Sequence, residues 1–406
     1  MLTREDPAKR SWWARVPRPP APDPLDAFSE DEVRTCVAYA KPRQRWALLG
    51  VAVDLSLLAG AALTTPGREL VQWAAGLAGG WAPGRVALAA VAVIGVRALA
   101  RLPFSIRAFR QDVRAGLATQ RVAGFLRDWL KARAVGLVLT VLPLAGLVLA
   151  ARWRPPGWPW VAAVAAAALV AVLALLGPVL IEPLFNRFTS LHAGPLRDRL
   201  LLLAARMRVP VRDVLVADAS RRTTRVNAYV SGLGRTRRVV VYDTLVRSSD
   251  HDELALVVAH ELAHVRHRDV LWGTVASAAA AAGAVLLAVG LFDLEAVRDA
   301  LGVDGLGDPL AAPGLLLVAV GGLLAAPVAS LVSRWSEATA DWVALEVTGD
   351  AATAEAVERR LALENRADLR PNRLLVALFS SHPPTMARIA QARLWAARHG
   401  DYNRAP

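Results

Sequence analysis

Cysteine is almost absent from this chain: Cys36 is the single one in 406 residues. An intrachain disulfide is therefore excluded, and so is a cysteine-built zinc ribbon; any zinc must be held by histidine and carboxylate. Lysine is nearly missing too, with only Lys9, Lys41 and Lys131. Arginine carries the rest of the basic charge. Together with the abundance of alanine this reads as a bias of the source genome, not as a code for binding nucleic acid. Histidine is scarce, at seven. The first thirty residues lack an apolar core and hold Pro17, Pro19, Pro20, Pro22 and Pro24, so they are expected to form an irregular arm and not a secretory signal. The Trp12-Trp13 pair with Arg10 and Arg15 is placed either at the lipid headgroups or in a disordered leader.

Apolar residues, by contrast, make up 55% of the chain, and the mean hydropathy is +0.35. That excess points to membrane spans. The net charge of +13 is then explained by basic flanks on the cytoplasmic side of those spans. Arg221-Arg222 and Arg237-Arg238 are expected to meet anionic lipid, and no nucleic-acid partner is expected.

Six apolar runs approach the ~20 residues that cross hydrocarbon: 46–64, 83–102, 134–151, 160–181, 270–292 and 310–332. The stretch 70–81 is ambiguous and suits an interfacial position. Ser29-Glu30-Asp31-Glu32 reads as a capping box opening a short helix. The arm before the first span holds nine Arg and Lys, and 101–133 holds eight. The loop 293–309 carries Arg298 against Asp293, Glu295, Asp299, Asp304 and Asp308. The acidic loop is thus placed outside, and both termini, 182–269 and 334–406 on the cytoplasmic side. Asp54 and Arg97 fall inside spans one and two at similar depth; they are read either as a pair or as the wall of a watered cavity, with a lone snorkelling Arg97 as the alternative. The expected organisation is an N-terminal cytoplasmic arm (1–45), a four-span region (46–181), a catalytic segment (182–269), a two-span hairpin (270–333) and a C-terminal catalytic segment (334–406). The fold class is mainly α: a polytopic helical membrane protein with a small cytoplasmic zincin-like α+β part. In that part 194–208 reads as an amphipathic helix, 213–217 as a strand, and 228–231 with 238–242 as a β-hairpin around Gly232.

Within 182–269 lies His260-Glu261-Leu262-Ala263-His264. Positions i and i+4 share a helical face, so two imidazoles can close on one zinc ion with Glu261 beside it as proton acceptor. A catalytic zinc needs a third protein ligand. After the sixth span, Glu337 and Asp341 again stand four apart. Glu337 is the candidate third ligand, and Asp341 the candidate partner for the far nitrogen of a ligand histidine; the plainer alternative is a solvated acidic face. His192, His251, His267 and His399 have no such company and are read as surface or loop residues. The exposed edge of the small sheet could hold an extended peptide over the metal.

These segments resemble the integral-membrane zinc metallopeptidases of the CAAX prenyl protease type I family, in the same clan as the HtpX group. The likeness is carried by His260–His264, by Ser333-Arg334 with Glu337 and Asp341, and by Glu182-Pro183-Leu184-Phe185-Asn186-Arg187-Phe188. It extends to Asn227–Gly232, to 238–245, and to Ser381-His382-Pro383-Pro384 with Arg388. It runs from about residue 28 to 395 in motif order. It departs at Ser190, where the family has proline, along 109–131, and in counting six spans against the seven of eukaryotic members. The resemblance implies a membrane-embedded endopeptidase with one zinc per chain, acting on peptides or membrane-associated proteins. His260, His264 and Glu337 would be metal ligands and Glu261 the proton carrier. His382 would be an oxyanion donor, and Asn227, His382 and Arg388 would line the site. Arg388 is read either as a substrate contact or as a structural ion pair. An HtpX-type quality-control protease is the near alternative, and a non-catalytic zinc-bound scaffold the distant one. A multi-pass location follows, in the plasma membrane if the source is bacterial. No residue pattern specifies an oligomer.

Overall fold

The computed structural model describes residues 16–153, 156–232, 234–301 and 310–400. Arg10, Trp12, Trp13, Arg15, Asp304 and Asp308 lie outside the described residues.

The membrane part opens with α1 (Glu30–Leu63), α2 (Thr65–Gly76), α3 (Ala82–Arg114), α4 (Val122–Trp153) and α5 (Trp158–Leu180). A short α6 (Glu182–Phe185), strand β1 (Phe188–Ser190) and α7 (Pro195–Arg206) lead into β2 (Asp213–Ala217), β3 (Ala228–Ser231) and β4 (Arg238–Tyr242). Then come α8 (Asp243–Ser248), α9 (His251–Arg266), α10 (Asp269–Asp293), α11 (Glu295–Leu301), α12 (Ala311–Thr348), α13 (Ala351–Glu364), α14 (Arg373–Phe379) and α15 (Thr385–His399). Among the described residues, six helices are long and apolar enough to span a bilayer: α1, α3, α4, α5, α10 and α12.

Several spans continue beyond the hydrocarbon. The Ser29–Glu32 capping box is formed, but it opens the whole of α1, 34 residues long, rather than a separate short helix. At 1.5 Å per residue such a helix reaches roughly 50 Å, against ~30 Å of hydrocarbon. Pro42 removes one backbone donor without ending the helix. α12, with 38 residues, likewise carries its last turns out of the apolar run. The stretch 70–81 is mostly the end of α2, which tucks Val71, Ala74 and Ala75 inward and leaves Trp73 65% exposed.

α10 packs chiefly on α5, and α12 on α1 and α9, so residues 270–333 do not act as one self-packed hairpin. Between α1 and α3, Arg97 donates from Nε and Nη2 to the two oxygens of Asp54 at 2.9 and 2.6 Å. A planar, bidentate pair is how two charges inside a bundle satisfy each other.

Outside the spans stands a four-stranded sheet in the order β1-β2-β4-β3. β2 runs parallel to β4, with Val214 opposite Val239, and β3 pairs antiparallel with β4, with Ala228 opposite Val241. The turn after β3 needs Gly232: its φ is +87°, and a Cβ there would lie 2.7 Å from the Thr236 carbonyl oxygen. The alternation of strand side chains splits the sheet. Val214, Val239 and Val241 face the core built with α7 and α9, while Leu215, Ala217 and Val240 form a second, smaller cluster. β3 ends the sheet on the side of the cavity, which Asn227 and Ala228 help to line.

Candidate metal centre

Helix α9 starts where its sequence says it must. The Asp250 side chain accepts from the amides of Asp252 and Glu253, and Glu253 accepts from the Asp250 amide at 3.1 Å. Glu253 is itself held by Arg360 at 3.0 Å. Leu254, Val258, Ala259 and Leu262 are buried in the core, so the face carrying His260 and His264 is fixed by packing on the other side. α9 ends at His267, where Arg268 turns left-handed (φ +59°) before α10 begins. Such a conformation costs a side chain about 1–2 kcal/mol. It brings Asp269 back beside His264.

The two imidazoles stand nearly perpendicular, at 84°, with their Nε2 atoms 3.1 Å apart. α12 lays Glu337 across them. Its Oε2 is 3.4 Å from His260 Nε2 and its Oε1 is 3.4 Å from His264 Nε2. Ligands at about 2.0–2.1 Å from a tetrahedral metal stand about 3.3–3.4 Å from one another. The far nitrogens face acids: His260 Nδ1 lies 2.8 Å from Asp341 Oδ1, and His264 Nδ1 lies 2.8 Å from Asp269 Oδ2 and 3.2 Å from Ser336 Oγ. Ser336 also hydrogen-bonds to Asp269. His264 Nδ1 is hydrogen-bonded, whereas His260 Nδ1 meets Asp341 by proximity and out of hydrogen-bond alignment; both rings turn Nε2 to the shared point.

The charges agree with this geometry. Four acids, Glu261, Asp269, Glu337 and Asp341, surround two imidazoles. Burial by itself would depress the pKa of His260, but Asp341 and Glu337 push it up to about 10. Burial pushes the Glu261 carboxyl up, and the two imidazoles only partly oppose that. A site this acidic and this enclosed favours a cation, and the three donors His260, His264 and Glu337 fit one divalent ion.

Of the other residues singled out in the sequence, Asn227, Glu261, His382 and Arg388 line one cavity of about 830 Å³ together with His260, Glu337 and Asp341. His382 Nδ1 approaches Glu337 Oε2 at 2.7 Å, and its side chain is 63% exposed. The backbone carbonyl of Asn227 accepts from the Tyr242 amide at 3.0 Å, so Asn227 continues the register of β3. Arg388 is an ion-paired residue: Nε and Nη2 reach Asp341 at 2.8 and 2.5 Å, and Nη1 reaches Glu358 at 2.9 Å. Burial opposes its charge, but the carboxylates outweigh it and raise its pKa further. The cavity extends to Gln44, Leu48 and Val51 of α1, around the start of the first apolar run, and to Leu323 of α12 within the last one. Three participants escaped sequence reading. Asp269 is five residues past His264 across a helix break, Ser336 is adjacent to a candidate ligand, and Glu358 lies on a helix with no motif. Only the Ser336 spacing, one residue before Glu337, left a signal.

Residues 190–396 match the model of peptidase family M48, and residues 15–187 match that of the CAAX prenyl protease N-terminal region, described as five membrane helices. Four span-length helices and α2 occupy that stretch here. A CAAX prenyl protease 1 homolog of Oryza sativa is 31% identical over 300 residues, covering 71% of this chain and 68% of that protein. One of Arabidopsis thaliana is 35% identical over 168 residues, 40% of this chain and only 39% of that protein's length. The crystal structure of S. mikatae Ste24p superposes with a TM-score of 0.78 at 20% identity, covering 92% of both chains, and so shares the fold. The chain belongs to peptidase family M48 and is a polytopic membrane metallopeptidase of the CAAX prenyl protease type.

Proposed function

We propose that the chain is a zinc endopeptidase, with one zinc held by His260, His264 and Glu337, that hydrolyses peptides or membrane-associated proteins. The observation that carries this is that Glu261 lines, with His260 and Glu337, a cavity that reaches into the spans, while His264 completes the donor set behind them. Zinc suits a set of two imidazoles and a carboxylate with one position left for water, and when bound it acidifies that water and polarises a carbonyl. Glu261 accepts the proton of the attacking water and passes it to the leaving amine. Asp341 and Asp269 hold the two imidazoles by their far nitrogens. His382 donates to the carbonyl oxygen as it gains charge. The edge of β3 pairs with an extended substrate, so that the residues from Asn227 onward set its register. Arg388 serves the site through Asp341.

The apolar far end of the cavity favours a hydrophobic segment or a substrate delivered from the bilayer. The relatives named CAAX prenyl proteases make a prenylated peptide one substrate to try. The distribution of arginine supports a cytoplasmic site with both termini on that side. The test is cleavage of a peptide library by the purified chain, each peptide with and without a prenyl group. Cleavage that a chelator stops and added zinc restores supports the reading; cleavage indifferent to chelator, or none with zinc bound, defeats it.

A further inference from the structure

Glu358 stands on α13 in the wall of the cavity, and the hydrolytic chemistry makes no use of it. Its Oε1 lies 2.9 Å from Nη1 of Arg388. The opposite edge of that guanidinium is given to both oxygens of Asp341, at 2.8 and 2.5 Å. Asp341 Oδ1 in turn lies 2.8 Å from Nδ1 of His260. Four groups thus run in a row from α13 through α15 and α12 to α9. The side chains of Glu358 and Asp341 are each 12% exposed and that of Arg388 is 18% exposed.

A guanidinium held along one edge keeps a hinge about that edge. A second carboxylate on the remaining nitrogen fixes its plane. Burial pushes the Glu358 carboxyl up to about 7 against the pull of Arg388, so the row depends on the reach of this side chain to the guanidinium and not on a full second charge.

We propose that Glu358 is a positioning residue for the metal: by fixing Arg388 it aims Asp341 at His260 and strengthens the hold of the site on a divalent cation. The inference rests on His260, His264 and Glu337 being the metal ligands, and it makes Arg388 a member of this row and not a reader of the substrate's carboxylate. The test is the zinc dissociation constant of the purified full chain, measured by chelator competition. Glu358→Gln should raise it about ten-fold and Glu358→Ala about ten- to a hundred-fold, as for other residues behind a metal ligand. Glu355→Gln, on the same helix but paired with Arg393, should leave it unchanged. At saturating zinc the KM of Glu358→Gln should equal that of the wild type. Glu358→Asp keeps the carboxyl but shortens its reach, so it decides the matter if the other variants do not fold: a raised dissociation constant upholds the inference. A wild-type dissociation constant in Glu358→Gln or Glu358→Asp overturns it, and so does an unchanged constant with a raised KM, which would make Glu358 a substrate contact. A wild-type chain that binds no zinc defeats the reading of the metal ligands themselves.

Discussion

Glu261 follows His260 directly, and its buried carboxyl has no motif-independent reason to be there. Removing its charge while keeping its shape separates binding from chemistry. Glu261→Gln is expected to retain zinc and lose cleavage by about 10²–10⁴ in kcat, read by elemental analysis beside a turnover assay. Asp269 is the complementary case. Asp269→Asn should weaken zinc about ten- to a hundred-fold and leave KM unchanged when zinc is saturating, because the residue acts through His264. The difference in legibility between the two has a physical origin. His260 and His264 are bound together by helical period, so their spacing alone places them on one face, with Glu261 at its edge. Asp269 reaches His264 only because Arg268 turns left-handed, and nothing in an arginine announces that. Glu358 was equally silent, since its partner Arg388 comes from another helix. Arg388 itself was legible as a site residue, but whether it would meet substrate or an acid depended on a tertiary contact.

The elements obey the same division. Each of the six apolar runs lies on a span-length helix, because hydrocarbon imposes both length and composition. Their ends did not follow from hydropathy. α1 begins at Glu30 because a capping box starts it, and Pro42 does not end it, so the polar turns and the span form one rod. β1, three residues long, has too little pattern to be seen before it pairs with β2. Which spans touch was also unreadable, since lipid-facing and helix-facing apolar residues look alike. The exception is the charged pair. Breaking a buried pair costs about 3–5 kcal/mol, so Asp54→Asn and Arg97→Met should each lower the yield of folded protein. The exchange Asp54→Arg with Arg97→Asp should recover part of it; a swap that yields no more than the single variants would remove the pair's role. At the other end of the scale Asp250→Ala deletes the cap of α9. It should cost about 1 kcal/mol, read as a lower thermal midpoint, while zinc content stays the same.

At the scale of the whole molecule the chain is two devices joined by long helices. The spans supply an apolar cavity wall, and the soluble part supplies a sheet edge and the helix of the paired histidines. α12 belongs to both: it crosses the membrane and then presents Glu337 to α9, so the third donor and the bilayer are fixed to one rod. The orientation is checked with membrane-impermeant maleimide, for which the buried Cys36 gives no background. Glu295→Cys should label in intact cells, and Arg373→Cys only after permeabilisation; the reverse order would invert the topology. The central claim, that an ion between α9 and α12 makes this chain a hydrolase, is tested most directly by zinc stoichiometry in wild type and in Glu337→Ala. One zinc per wild-type chain and much less than one in the variant is the expected result. Full zinc in Glu337→Ala would contradict the account, because the ion would then be held without the helix that ties the site to the membrane.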